Sequence, residues 1–214
     1  MKPPPLPREP RVAKERRDMR NTYREPSLGD PGLATEDVIR VKIPATKPAT
    51  ELLDGTFVQK TLPVTAHAFL QGRLLELLMP WARTRGFCGP EWRFRLNTVG
   101  TVSDSVVPDI AFLSFERWAK LTSAQREFPP FEPDVAIEIL SPDDRPGRVA
   151  KKVAKYVNAG TQLVLVFDPA SRRLVAHDRG SSHTYAEAEC FSHPAVPGST
   201  LELADVFSAL DVLG

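Results

Sequence analysis

Pro133-Asp134-Val135-Ala136-Ile137-Glu138-Ile139-Leu140-Ser141-Pro142 is a short apolar run bounded by prolines. Its length suits a strand buried on both faces. One carboxylate stands at its entrance and a second lies inside it. A charge within a core strand is costly unless it is paired or binds a metal, so Glu138 requires a partner from elsewhere in the chain.

Downstream, Ser141-Pro142-Asp143-Asp144-Arg145-Pro146-Gly147 breaks the strand. A helix is expected over residues 148–159, with Asn158-Ala159-Gly160 as its stop. Residues 163–167 form a second continuous apolar strand. Asp168-Pro169-Ala170-Ser171 turns into a strand over 173–178, and residues 184–188 add another antiparallel strand. The apolar tail, residues 201–213, packs on the domain.

Upstream lies a loop rich in proline and charge, residues 117–133, with one helical turn. Before it, residues 106–114 read as one strand opened by Pro108-Asp109. Trp92, Phe94 and Leu96 alternate with Arg93, Arg95 and Asn97, which is a period of two. His67, Leu70, Leu74, Leu77, Leu78 and Trp81 recur at helical spacing, so residues 65–83 read as an amphipathic helix. His67 on that stripe reads as a core histidine rather than a ligand. Asp54-Gly55 between apolar pairs in residues 51–58 signals a hairpin. From Val64 the order is helix, three strands, helix, strand, flanked by antiparallel strands. The expected fold is an α+β domain with a mixed central sheet.

The chain has 214 residues, 26% charged and 42% hydrophobic, with a formal net charge of +1. That is ordinary for a soluble domain with a sizeable core, and only a local basic patch would favour a nucleic-acid partner. There is no run of about 18 apolar residues and no apolar segment behind a basic start. Neither a membrane span nor a signal peptide is expected, and the cytoplasm is the expected location. Cys88 and Cys190 read as two reduced thiols. Residues 1–34 begin Met-Lys-Pro-Pro-Pro-Leu-Pro and mix Arg16, Arg17, Arg20 and Arg24 with acids. They read as a disordered, basic, proline-rich arm. Residues 35–214 form the domain, its order beginning near Thr35-Glu36-Asp37.

Two Pro-Asp pairs offer a carboxylate near Glu138. Asp134 shares a strand face with it but sits roughly 13 Å away at about 3.3 Å per residue. Asp109 opens the preceding strand. If strands 106–114 and 134–140 pair antiparallel, Asp109 comes beside Glu138. Two carboxylates that close must share a cation or lose a charge. On the following helix, Val149, Val153, Tyr156 and Val157 define the buried face, and Lys151 and Lys155 point to solvent. Lys152 lies on the flank and can run along the core edge towards Glu138; by geometry alone it is either a site residue or a snorkelling surface lysine. Two acids and a lysine about one point suit metal-dependent phosphodiester hydrolysis, with Mg²⁺ on hard oxygens and the lysine on developing negative charge. A buried ion triad is the alternative.

These residues resemble the Uma-two family of restriction-endonuclease-like proteins, a branch of the PD-(D/E)xK nuclease superfamily. The matching words are Glu51-Leu52-Leu53-Asp54-Gly55, His67 and Val107-Pro108-Asp109. They continue with residues 133–142, Lys152 with Tyr156 and Ala159-Gly160, and Val166-Phe167-Asp168-Pro169. The resemblance covers roughly residues 35–210. It implies a restriction-endonuclease-like αβββαβ core with extra antiparallel strands, and Asp109, Glu138 and Lys152 as the catalytic set. Asp109 and Glu138 would hold Mg²⁺, with Mn²⁺ as a substitute. Glu51 matches the acid of the family's opening hairpin, as an outer metal ligand or a structural residue. Leu140 stands where the superfamily motif has lysine, and Lys152 on the next helix is the match. Arg148 stands where the family often carries an acid, and Gln162-Leu163 replaces its usual Tyr-Trp.

The resemblance thus implies a Mg²⁺-dependent endodeoxyribonuclease acting on DNA, for which a two-fold homodimer would suit cutting both strands. The alternative is a catalytically inactive nuclease-fold module that binds nucleic acid or a protein partner, with Arg93, Arg95, Arg148 and Lys151 as its basic patch.

Overall fold

The Asp54-Gly55 pair turns the chain through two left-handed residues, φ 51° and 73°. It joins β1 (Thr50–Leu53) to β2 (Thr56–Gln59), with Leu53 opposite Thr56. Positive φ at both central positions matches the twist of a tight hairpin. The computed structural model describes residues 43–96 and 104–214, all within one compact unit. The arm expected over residues 1–34 and the helix start near Thr35 lie outside the described residues.

Helix α1 (Thr65–Ala82) buries His67, Leu70, Leu74, Leu78 and Ala82, steps of three and four that keep one face inward. It leads to β3 (Gly86–Pro90), β4 (Phe94–Leu96), β5 (Asp104–Val106) and β6 (Ile110–Ser114). Short helices α2 (Phe115–Ala119) and α3 (Ser123–Glu127) follow. The Ser114 side chain caps the first of these, and a Thr122–Gln125 capping box starts the second. The stretch expected to be a loop with one turn is thus two capped helices joined by coil.

Strand β7 (Val135–Ile139) is the core strand foreseen, all five residues buried. Helix α4 (Pro146–Ala159) starts on a proline and ends at left-handed Gly160, φ 117°. Then come β8 (Leu163–Asp168), β9 (Arg173–His177), β10 (Ser182–Ala186), β11 (Cys190–Ser192) and β12 (Thr200–Glu202). The chain closes with α5 (Leu203–Phe207) and a 3₁₀ segment, Ser208–Leu213.

The central sheet runs β10-β9-β8-β7-β6-β3. Strands β7 and β8 are parallel and the other pairs antiparallel, so the sheet is mixed and the domain α+β, as expected. Alternation along β7 splits the core. Val135, Ile137 and Ile139 pack with α1, whereas Ala136 faces Val153 and Tyr156 of α4. Glu138 shares the Ala136 parity and therefore faces α4.

Two expectations need correction. Residues 106–114 are two strands: β5 belongs to a small sheet, β2-β1-β5-β4, and β6 to the central one. The chain changes sheets at Val107-Pro108-Asp109, where proline supplies no ladder donor. The first strand of the αβββαβ order is β3, not the alternating 92–97 stretch, of which residues 94–96 form β4 in the small sheet. Strand β3 carries two glycines and a proline and holds the sheet edge. A Cβ on Gly86 would lie 2.2 Å from the Leu113 carbonyl oxygen, so the close pairing with β6 needs glycine. No helix among the described residues is long and apolar enough to cross a membrane.

Candidate active site

The antiparallel register of β6 and β7 pairs Ile110 with Ile137 and Ala111 with Ala136. One step further along the ladder, Asp109 stands opposite Glu138. Asp109 is held by several partners. Its Oδ2 accepts the Ile139 N–H at 2.6 Å, and its carbonyl accepts from Gln71 Nε2 at 2.7 Å. His67 Nε2 is 3.2 Å from Oδ2. A carboxylate only accepts, so the His67 proton belongs on Nε2. Nδ1 of the same ring is buried without a partner among the described residues.

Glu138 Oε1 accepts the Tyr156 hydroxyl at 2.8 Å, and Lys152 Nζ stands 2.8 Å from the same carboxylate. Lys152 is 9% exposed, so its stem does pass along the core edge. Its ammonium also reaches Glu51 Oε1 at 2.9 Å, and that oxygen accepts the Val107 N–H at 2.7 Å. The first carboxylate of the hairpin is thereby tied to the point where the chain changes sheets. Asp109, Glu138, Lys152 and Glu51 are brought together about one cavity of roughly 70 Å³, room for about two waters at ~30 Å³ each. Arg148 lies exposed at its mouth.

Lys60, just beyond β2, escaped the sequence reading. Its Nζ lies 2.6 Å from Asp109 Oδ1, 3.0 Å from the Val107 carbonyl and 3.3 Å from Glu91 Oε1. Nothing local marks such a lysine, because the contact depends on how the hairpin lies across the strands.

The charges explain one another. Burial pushes the Glu138 carboxyl up to about 7, and Asp109 adds to the rise; Lys152 opposes it without cancelling it. Burial works most strongly against the charged forms of Lys152 and Lys60, but the surrounding acids together outweigh it, Glu138, Glu51 and Asp109 at the first and Asp109, Glu138 and Glu91 at the second, so both stay protonated above the ordinary lysine value. Asp109 is buried too, yet His67 and Lys60 hold it below the usual carboxylate range. Burial and Glu138 raise Tyr156, which keeps its proton as a donor.

Other candidates fall elsewhere. Asp134 satisfies the strand entrance: it accepts from Ser114 N at 2.7 Å, Arg117 Nη1 at 2.9 Å and Gln162 Nε2 at 3.2 Å. Lys155, expected in solvent, instead bridges Asp54 at 2.5 Å and Asp104 at 2.6 Å, pinning the hairpin turn to α4. Arg93 donates to the Thr50 carbonyl and Ser105 Oγ, and the Arg95 guanidinium lies over the Phe128 ring. A groove of about 1110 Å³ between α4 and the β8–β9 face is mainly aliphatic and is not where the carboxylates converge.

The donor chemistry suits a hard divalent ion. A carboxylate offers about four lone-pair sites, and the contacts to Asp109 and Glu138 leave acceptor capacity on both. No group of three or more His, Cys, Asp and Glu among the described residues is placed to hold a metal ion. Two carboxylates with the rest supplied by water is the arrangement that Mg²⁺ favours.

Residues 36–212 match the family model described as "Uma2: Putative restriction endonuclease". No curated protein matches the chain. Among solved structures it is similar to one titled as a putative nuclease belonging to DUF820 from Anabaena variabilis, with a TM-score of 0.67 and 24% identity. The match covers 78% of this chain and 94% of that one, and at that identity it speaks for the fold.

Proposed function

The chain belongs to the Uma2 family, and from that premise we propose that it is a Mg²⁺-dependent endonuclease that hydrolyses phosphodiester bonds in DNA. The observation that carries this reading is the convergence of Asp109, Glu138 and Lys152 about one small cavity. Asp109 and Glu138 hold the ion, which when bound lowers the pKa of a water and screens the phosphate charge. Mn²⁺ has the same taste for oxygen ligands and can take its place.

The protein's own groups supply the positioning. Tyr156 and Lys152 fix the Glu138 carboxylate, and the Ile139 N–H with His67 fixes that of Asp109. Each is held by charged or buried hydrogen bonds, so little reorganisation is needed as charge develops. Lys152 Nζ, 9% exposed as a residue and poised between two acids, is the donor for the negative charge that grows on the phosphate. Glu51 holds Lys152 in place, and its second oxygen is available as an outer ligand.

The test is cleavage of plasmid DNA in Mg²⁺ by wild type and by Glu138→Ala. Cutting by wild type alone is the expected result. Equal activity in both, or none in wild type across varied DNAs, would remove the reading. One observation favours a non-catalytic nucleic-acid-binding module instead: both site ammoniums already pair with the acids. Calorimetry with Mg²⁺ separates the two, because a pure binder need not take up metal.

A further inference from the structure

Lys60, Thr61, His67 and Asp109 form a wall with a cavity on either side. One is the 70 Å³ reactive cavity already described. The other is a groove of about 570 Å³, within the usual range for a small-molecule or nucleotide-sized ligand. We propose that this second groove seats the nucleotide adjoining the cleaved phosphodiester, with Arg93 gripping its phosphate. The inference rests on the nuclease reading and adds a substrate path to it.

Three features of the groove point to a nucleotide. Lys47, Lys60 and Arg93 line it against the acids Glu91 and Asp109, and Glu91 and Asp109 are already paired with Lys60. Arg93 is built as an anchor. Its Nη1 donates to the Thr50 carbonyl at 2.8 Å and to Ser105 Oγ at 3.1 Å, which holds the guanidinium plane still. No partner engages its Nε and Nη2 among the described residues. Those atoms form one edge of the fork, and a fork edge matches two phosphate oxygens at once. Burial also disfavours the charge of Arg93, a cost that a phosphate would offset.

The third feature is apolar. Pro48, Leu62, Pro63 and Val107 share the groove with the cations, and Leu62 is 72% exposed. A free phosphate has no use for such a surface, whereas the apolar face of a base can be buried against these aliphatic side chains. The orphaned Nδ1 of His67 belongs to the wall between the two cavities, where a buried polar atom without a partner calls for a ligand atom or a water. A strand with one phosphate at the Asp109–Glu138 pair would therefore lay its neighbouring nucleotide across this wall and into the groove.

Binding is read without turnover, by fluorescence anisotropy of a labelled 12-mer DNA in EDTA, over a series of salt concentrations. Arg93→Gln is expected to weaken binding about tenfold and to lower the salt slope by about one contact. Arg93→Lys should recover only part of the loss, because a lysine has no fork. Lys120→Gln removes one positive charge from a residue lining neither cavity, and should bind as wild type does. Thermal melts accompany each variant. If Arg93→Gln does not fold, Lys47→Gln on the groove rim carries the test, with about a threefold loss expected.

Competition distinguishes the ligand sources. A dinucleotide should displace the 12-mer at lower concentration than thymidine monophosphate, and inorganic phosphate should displace it least. Inorganic phosphate competing as well as the dinucleotide would reduce the groove to an anion site and overturn the proposal. So would wild-type affinity and salt slope in a folded Arg93→Gln, whether or not the protein cuts DNA. Absence of cleavage by wild type with the Arg93 effect intact would instead overturn the nuclease reading and leave the groove standing.

Discussion

Lys60 Nζ lies 2.6 Å from Asp109 Oδ1, so the acid that opens β6 is held by a cation from the far end of the hairpin. The ammonium occupies one side of a carboxylate that, in the proposed mechanism, also binds metal. Lys60→Met removes that competitor. Mn²⁺ uptake measured by calorimetry is expected to tighten, while folding stability falls by roughly 3 kcal/mol because a buried acid loses its counter-charge. Unchanged Mn²⁺ affinity would mean that metal never approaches Asp109 from this side.

Glu138 makes stability depend on pH. Its folded value of about 7 lies above the ordinary 4.5, so between the two the folded chain holds a proton that the unfolded chain has lost. Stability from this group is full below about pH 4.5 and declines as pH rises through about 7, by roughly 3 kcal/mol in all. Asp109 is shifted the other way from 3.8 and acts only at more acid pH. Urea unfolding at pH 5 and pH 8 should show the decline in wild type and flatten it in Glu138→Gln. An equal decline in both would locate the effect elsewhere.

Lys152→Met separates chemistry from stability. Cleavage should fall at least about 100-fold for loss of the charge donor, and stability by roughly 3 kcal/mol, because Glu138 and Glu51 then face each other unpaired. Adding Glu138→Gln should recover much of the stability and none of the cleavage. Recovery of both would assign Lys152 a purely structural role.

Asp134 provides the opposite case. It lies on the same strand segment as Glu138 but closes the strand entrance through Ser114, Arg117 and Gln162. Asp134→Ala should cost about 2 kcal/mol of stability for the unpaired donors, with cleavage per folded molecule within about twofold of wild type. A large loss of cleavage at preserved stability would reinstate it as a site residue.

The parts legible in the sequence were those with a period. Alternation and length marked β7, and the ladder arithmetic of an antiparallel pair placed Asp109 opposite Glu138. The helical wheel of α4 put Lys152 on the flank that reaches them. Periodicity does not say which sheet an alternating stretch joins: the 92–97 pattern reads as a central strand, yet its residues 94–96 pair in the small sheet and β3 completes the central one. The Gly86-Phe87-Cys88-Gly89-Pro90 stretch has almost no strand propensity, and its extended form comes from pairing with β6. Lys60 and Lys155 were out of reach for another reason. The wheel shows that Lys155 points away from the core, but not that the hairpin turn leans over α4 to meet it.

The change of sheet at Val107-Pro108-Asp109 also gives the molecule an internal clock. Glu51 and Lys60 arrive with the hairpin, Asp109 and Glu138 with the central sheet, and Lys152 with α4. Before those parts unite, each carboxyl sits in water with an ordinary proton affinity. Only their union desolvates Glu138 and raises its affinity. The carbonyl stretch of one protonated side chain, followed by infrared during refolding near neutral pH and assigned with Glu138→Gln, would therefore date the moment at which the two sheets become a single body.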